Sequence, residues 1–441
     1  MPDDSRNAAL AKRDLTLDLM RVVCLLVVVA AHVCFVALRQ TPDGTMENWT
    51  PPQELPFFAA GTWFIQPMPL FFVVGGCVSY LAWRSAQRRG DDAFTFFRAR
   101  LVRFAQPAAA LFVILSVVFG AAVLIGVPRS LADAASYGVG TPIWFMGAYL
   151  LCQALIPPLA AAHRRHPVVP LVVLALGAVV VDVARMISGV ELVGLLNYLF
   201  AWPFAQQLGF WLADHRLDRF RRWQLLLAWA VSMALTGVMA SLASYGPDML
   251  QNQIPPTAPL VTMAIGHTCL FVLVRPGLRR LVQHKAVLGI MYVIGSRAMT
   301  IYLWHAAFVI GIAALFFFIP GLPQAPSAAW WLTRIPVLAV VLALVLAVSV
   351  PLVKLERGPD PSSLPRTGTL GVRLLIVVAG VLAVFPAFRT TVPSGDGKLE
   401  GLDFDLLLIG AAMLVLALVL LRLGPRRVPE SESGSAEPSH R

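Results

Sequence analysis

Apolar runs of roughly 18 to 25 residues recur along the whole chain, separated by short segments rich in arginine, proline and glycine. About 20 apolar residues in an α-helix match the hydrocarbon thickness of a bilayer. Twelve spans are predicted, at 17–38, 62–83, 101–126, 143–161, 167–187, 192–213, 223–245, 257–275, 298–319, 331–353, 370–388 and 403–423. The pattern therefore predicts an all-α polytopic integral membrane protein. The Pro/Gly/Ser-rich stretch 354–369 reads as a linker between a ten-helix body over 17–353 and a further two-helix hairpin over 370–423. Residues 1–16 form a short polar lead, and 424–441 read as a disordered tail. No internal repeat is visible, which weakens a transporter built from duplicated halves.

Composition agrees with this pattern. The chain has 441 residues, 58% hydrophobic and 13% charged, with a mean hydropathy of +0.74; soluble domains carry about 25% charged residues. Its net charge is +11, but the arginines sit in short loops between apolar runs, so the positive balance does not indicate nucleic acid. With the N-terminus in the cytoplasm, 28 of the 35 basic residues fall on inner segments, six on outer ones, and Arg21 within the membrane. That asymmetry predicts both termini cytoplasmic in a multi-pass protein of the inner (cytoplasmic) membrane. The first apolar run is too long for a signal-peptide core and no A-x-A-like site follows, so it is expected to stay as the first helix. The five cysteines (Cys24, Cys34, Cys77, Cys152 and Cys269) show neither disulfide nor metal-ligand spacing, and no metal is expected.

Ionisable side chains inside hydrocarbon are rare and often functional. RVVCLLVVVAAH, from Arg21 to His32, places two of them eleven residues apart. On a helix that is about 16 Å of rise and about 20° of rotation, so both lie on one face. Asp18 is three residues before Arg21 and can pair with it. A snorkelling arginine with an incidental, hydrogen-bonded histidine is the plain structural alternative. In QPMPLFFVVGGCVSY, two prolines suggest a kinked or broken helix start, and Gly75-Gly76 permits close backbone approach. In FRARLVRFAQP, Arg100 and Arg103 are one turn apart at the mouth of the third span, and arginine forks suit phosphates. Positive-inside bias alone would also place arginines there. His305, in SRAMTIYLWHAAF, is a further polar intrusion about two turns inside the ninth span. Asp182 with Arg185 reads as a structural ion pair near an outer helix end, while the role of His267 is left open.

Four stretches in this order resemble the membrane-bound acyltransferase 3 family of O-acyltransferases. They are the Arg-x10-His pattern of Arg21 and His32, PLFFVVGGCVSY, the Arg-x-x-Arg of Arg100 and Arg103 followed by Pro107, and YLWH from Tyr302 to His305. The likeness covers about residues 14–353. The family usually has Ser-Gly where this chain has Gly75-Gly76, and the hairpin 370–423 lies beyond its usual ten helices. The resemblance implies a ten-helix acyltransferase body that moves an acyl group, often acetyl from acetyl-CoA, to a hydroxyl of a sugar, an envelope polymer or a small molecule.

On that reading acyl-CoA is a co-substrate, with no resident cofactor. Arg100, Arg103 and His305 are donor-binding candidates. His32 is general base or acyl carrier, with Arg21 beside it, and Asp18, Gly75 and Gly76 are supporting residues. Expected partners are the donor, a hydroxyl-bearing acceptor and the bilayer, with no nucleic acid. The rival readings are a transporter or flippase of a lipid-linked or small anionic compound, favoured by twelve spans, and a catalytically silent assembly or sensor protein.

Overall fold

The computed structural model describes residues 14–40, 46–242, 244–356, 367–391 and 402–424. Most of the polar lead, the centre of the linker and nearly all of the tail lie outside these residues. Helix α1 (Leu15–Phe35) is followed by a two-stranded antiparallel sheet, β1 (Ala37–Gln40) and β2 (Met46–Trp49). Next come α2 (Phe58–Ile65), α3 (Met68–Arg88), α4 (Ala93–Leu124), α5 (Arg129–Gly140), α6 (Trp144–Arg165) and α7 (Val169–Ser188). A 3-10 segment (Glu191–Leu199) leads into α8 (Ala201–Ala213), followed by α9 (Arg222–Ala240), α10 (Ala258–Leu281), α11 (Lys285–Gly295) and α12 (Ala298–Phe318). The chain continues through α13 (Ala328–Leu332), α14 (Arg334–Glu356), α15 (Leu370–Arg389) and α16 (Phe404–Arg422).

Eleven helices among the described residues are long and apolar enough to cross a membrane, against twelve expected. The difference is the predicted span 192–213. Pro203 has no N–H to give the Leu199 carbonyl, and its ring crowds that carbonyl, so one α-helix cannot run through this stretch. The chain instead restarts at Ala201, with Pro203 in the first turn, where its missing donor is not needed. The broken entry expected from the prolines near Gln66 is present: α2 stops at Ile65 and α3 begins at Met68. Helix α4 begins eight residues before the predicted span, because Asp92 caps it by accepting from Thr95 N at 2.8 Å. Arg98, Arg100 and Arg103 therefore ride on a helix and not in a loop.

Helix α1 stands between two apolar clusters. Val22, Leu25, Val29 and Val33 pack into one built largely from α4, α12, α14, α15 and α16. Leu17 joins the other, built from α3, α6, α8 and α10. Both ends of α1 are pinned. At its start Asp14 caps Thr16 N at 3.0 Å and accepts from Arg275 of α10, which also reaches Asp218 at 3.3 Å. Burial raises the Asp14 carboxyl, but the bonds from Thr16 and Arg275 outweigh it and hold it below the ordinary aspartate range. At its end Arg334 Nη1 donates to the Val33 carbonyl at 3.3 Å.

The hairpin α15–α16 packs into the bundle. Ile376, Ala379, Ala383, Leu407 and Leu414 are fully buried, in the same cluster as Leu101 and Phe112 of α4. Thr367 and Arg373 bond the carboxylate of Asp92 at 3.0 and 3.5 Å, and Arg98 donates to the Leu423 carbonyl at 3.3 Å. On α5, Arg129 pairs with Asp405 at 2.5 Å and Asp133 caps α16 at Phe404 N, 3.1 Å.

In a bilayer, helices approach closely through small residues. A Cβ on Gly76 would lie 2.2 Å from the Gln206 carbonyl oxygen, and one on Gly209 2.0 Å from that of Val73. Helices α3 and α8 thus touch backbone to backbone, and neither side has a flexible side chain to yield. A Cβ on Gly75 would meet only Tyr149, at an ordinary 3.8 Å. Gly76→Ala is expected to destabilise the protein by about 1–3 kcal/mol, seen as a fall in thermal midpoint in detergent, whereas Gly75→Ala leaves the midpoint nearly unchanged. Equal effects at the two positions would contradict this packing.

Candidate active site

Two groups of side chains converge along α1. The first lies in its opening turns. Arg21 on α1 and Arg100 and Arg103 on α4 are close enough for their positive charges to repel, with Tyr149 of α6 beside Arg100. Arg100 also lies over the ring of Phe96, 5.0 Å from its centroid. Among the described residues none of the three arginines has a hydrogen bond or an ion pair. Some other arginines are paired with carboxylates, Arg275 with Asp14 and Asp218, Arg185 with Glu191 and Arg84 with Asp214. Three neighbouring guanidiniums without a carboxylate partner concentrate positive charge at this end of α1.

The second group lies eleven residues further along α1. His32 and His305 of α12 meet edge to face, with ring centroids 4.9 Å apart and planes at 72°. His32 Nδ1 is 2.8 Å from the Val28 carbonyl, one turn back. His305 Nδ1 is 2.6 Å from the Tyr302 carbonyl and 3.2 Å from that of Ile301. A carbonyl only accepts, so each neutral ring carries its proton on Nδ1 and keeps a lone pair on Nε2. His305 is fully buried and its Nε2 has no partner. Tyr302, whose hydroxyl donates to the Pro142 carbonyl, packs beside His305 and fixes this turn of α12. A basic nitrogen without a donor is thus held in the bundle next to a second, partly exposed imidazole.

The structure brings the expected residues together unevenly. Arg21, Arg100 and Arg103 lie near enough to feel one another's charge, although α1 and α4 are distant in sequence. His305, grouped with the donor-binding arginines from sequence, meets His32 instead. Asp18 makes no ion pair with Arg21 among those described. Gly76 serves the α3–α8 contact, and Gly75 is merely permissive. Asp182 is structural, but its carboxylate caps α10 at Ala258 N (2.8 Å) and accepts from Asn197 (2.7 Å), while Arg185 pairs with Glu191. His267 is bonded to the Trp63 carbonyl at 3.0 Å, tying α10 to α2. Sequence reasoning missed Arg334, although a charged residue opening the apolar run RIPVLAVV was a legible signal. It also missed Tyr149, which no spacing marks.

A family model described as an acyltransferase domain matches residues 14–354. The chain belongs to this acyltransferase family. No curated protein and no solved structure matches it. The matched region of this membrane acyltransferase contains both the arginine triad and the histidine pair, while α15 and α16 lie beyond it. Among the described residues no group of His, Cys, Asp and Glu could hold a metal ion.

Nitrogen-15 NMR of histidine-labelled acyltransferase, assigned with His32→Gln and His305→Gln, is expected to place the proton of both rings on Nδ1. An Nε2–H signal from His305 would contradict the geometry.

Proposed function

We propose that this acyltransferase moves an acyl group from acyl-CoA, acetyl-CoA foremost, to a hydroxyl of a sugar, an envelope polymer or a small molecule. The observation that carries the reading is the unpaired triad of Arg21, Arg100 and Arg103 about 16 Å along α1 from His32. The distribution of basic residues supports an inner-membrane orientation with both termini, and the triad, on the cytoplasmic side. Phosphates of the donor would meet Arg100 and Arg103. The pantetheine arm would follow α1 past Arg21 and bring the thioester to His32.

There His32 Nε2 acts as general base. It takes the proton of the acceptor hydroxyl as that oxygen attacks the thioester carbonyl carbon. The C–O bond forms, the C–S bond breaks, and the leaving thiolate recovers the proton from the imidazolium. The Val28 carbonyl supports this role, because it accepts from Nδ1 and orients Nε2 for proton transfer. His305, edge to face with His32, positions that ring.

Coenzyme A and acetyl-CoA binding to purified protein tests the donor half. The Arg100→Ala/Arg103→Ala variant is expected to lose about a hundredfold in affinity, as the loss of two charge-assisted contacts would give. His32→Ala should bind donor as the parent does and transfer acyl about 10²–10⁴-fold more slowly. Transfer at the parent rate by a folded, donor-binding His32→Ala protein would overturn the base assignment. An acyl group trapped on His32 by rapid quench would reassign it as the carrier.

A further inference from the structure

Helix α11 is apolar on every side, yet protein covers only one of them. Lys285 opens it, and no residue from Ala286 to Gly295 is charged. Its eleven residues rise about 16 Å, roughly half the hydrocarbon thickness, so it does not cross the membrane. Met291 and Ile294 form its buried stripe, with Met291 packed among Leu19 of α1 and Val282. A Cβ on Gly295 would lie 3.7 Å from Val22. Helix α11 therefore sits against the opening turns of α1, on the side of the membrane where α1 begins. The rest of its surface is Leu288, Ile290, Tyr292 and Val293, all exposed, Tyr292 by 76%. A surface helix in water, or one lying among headgroups, carries a charged or polar face at these positions. This one has none.

Basic residues flank this apolar surface. Arg279 and Arg280 lie in the last turn of α10 and Lys285 opens α11, all three exposed. Among the described residues their side chains have no hydrogen bond and no ion pair. Acid is also absent from the surrounding sequence, because between Asp248 and Glu356 the chain has no aspartate or glutamate. Other basic stretches differ: Arg89 pairs with Asp91 and Arg84 with Asp214. Beyond α11, Arg297 turns back to bond the Val293 carbonyl at 3.3 Å and Ser296 Oγ at 3.1 Å, which closes the helix. Positive-inside bias alone would place arginines here. It does not supply a bare apolar helix beside them. Long basic side chains lay their stems along hydrocarbon and raise their charge to the headgroup level.

We propose that α11 lies within the membrane leaflet at which α1 begins and, with Arg279, Arg280 and Lys285, forms a binding surface for anionic phospholipid. Acyl chains cover Leu288, Ile290, Tyr292 and Val293, and the three cations hold the phosphate-bearing headgroups. A zwitterionic lipid covers the apolar surface equally well but brings no net charge to the unpaired cations, so the headgroup preference resides in them. Leu19 and Val22, the α1 contacts of α11, stand on either side of Arg21 in the sequence. Lipid held on α11 is therefore packed against the helix that braces this turn of α1. The proposal does not depend on the acyl-transfer reading.

The test uses the full chain in nanodiscs made from an equal mixture of phosphatidylglycerol and phosphatidylcholine. Photoreactive benzoylphenylalanine replaces Tyr292, or in a second protein Val180, an exposed residue in the middle of α7. After illumination, mass spectrometry counts the two lipids captured at each position. At position 292 phosphatidylglycerol is expected to exceed phosphatidylcholine about fivefold, and at position 180 the two should be captured about equally. Adding Arg279→Gln, Arg280→Gln and Lys285→Gln together should bring the ratio at 292 close to that at 180. About 1 M salt should do the same without any change to these residues, by screening the headgroup contacts. No lipid captured at 292 would overturn the proposal, because that surface would then face water or a protein partner. Equal capture of the two lipids at 292 would overturn it as well, as would a preference that survives both the triple substitution and high salt.

Discussion

A bilayer offers no water to a polar side chain, so each ionisable group on a spanning helix must be met by the helices around it. Helix α1 carries a guanidinium and an imidazole on one face, and much of the surrounding architecture answers to that burden. Its start is fastened by Asp14 and Arg275 and its end by Arg334. Its flanks feed two separate apolar clusters. Held at both ends and on both sides, α1 keeps His32 against His305 while its opening turns present Arg21 to the arginines of α4.

The two polar stations differ in what surrounds them. The histidines are supplied with local acceptors, each Nδ1 engaged by a carbonyl of its own helix, so their tautomers are set without help from a distant carboxylate. The arginines receive no such partner. Several arginines at other helix ends, Arg165, Arg279 and Arg280 among them, are likewise unpaired; the triad differs in bringing three such guanidiniums from two helices near one another. The cation cluster and the imidazole pair thus stand about 16 Å apart along α1, the one without acceptors and the other supplied with them.

Much of this was legible in the sequence because its cues are periodic. Apolar runs marked the membrane helices, and the eleven-residue interval put Arg21 and His32 on one face of α1. The tightest determinants carry no period. Whether Gly75 or Gly76 is the close contact depends on which carbonyl of α8 passes overhead. The partnership of His32 with His305 depends on the packing of α12 against α1, more than 270 positions apart in the chain. Pro203 was visible, yet only the hydrogen-bond requirement of the Leu199 carbonyl explains why the predicted span is broken there.

Helices α15 and α16 lie past the residues that the family shares, yet they bond the start of α4, pair with α5 and bury α4 side chains in a common cluster. The unit of kinship and the unit of folding therefore differ in this protein. A chain cut where the family match stops would strip Asp92 of Thr367 and Arg373 and turn Leu101 and Phe112 toward lipid. The helix carrying two of the three arginines would then be free to tilt. The appended hairpin thus acts as a splint, which ties the placement of Arg100 and Arg103 to a part of the chain that the family match does not cover.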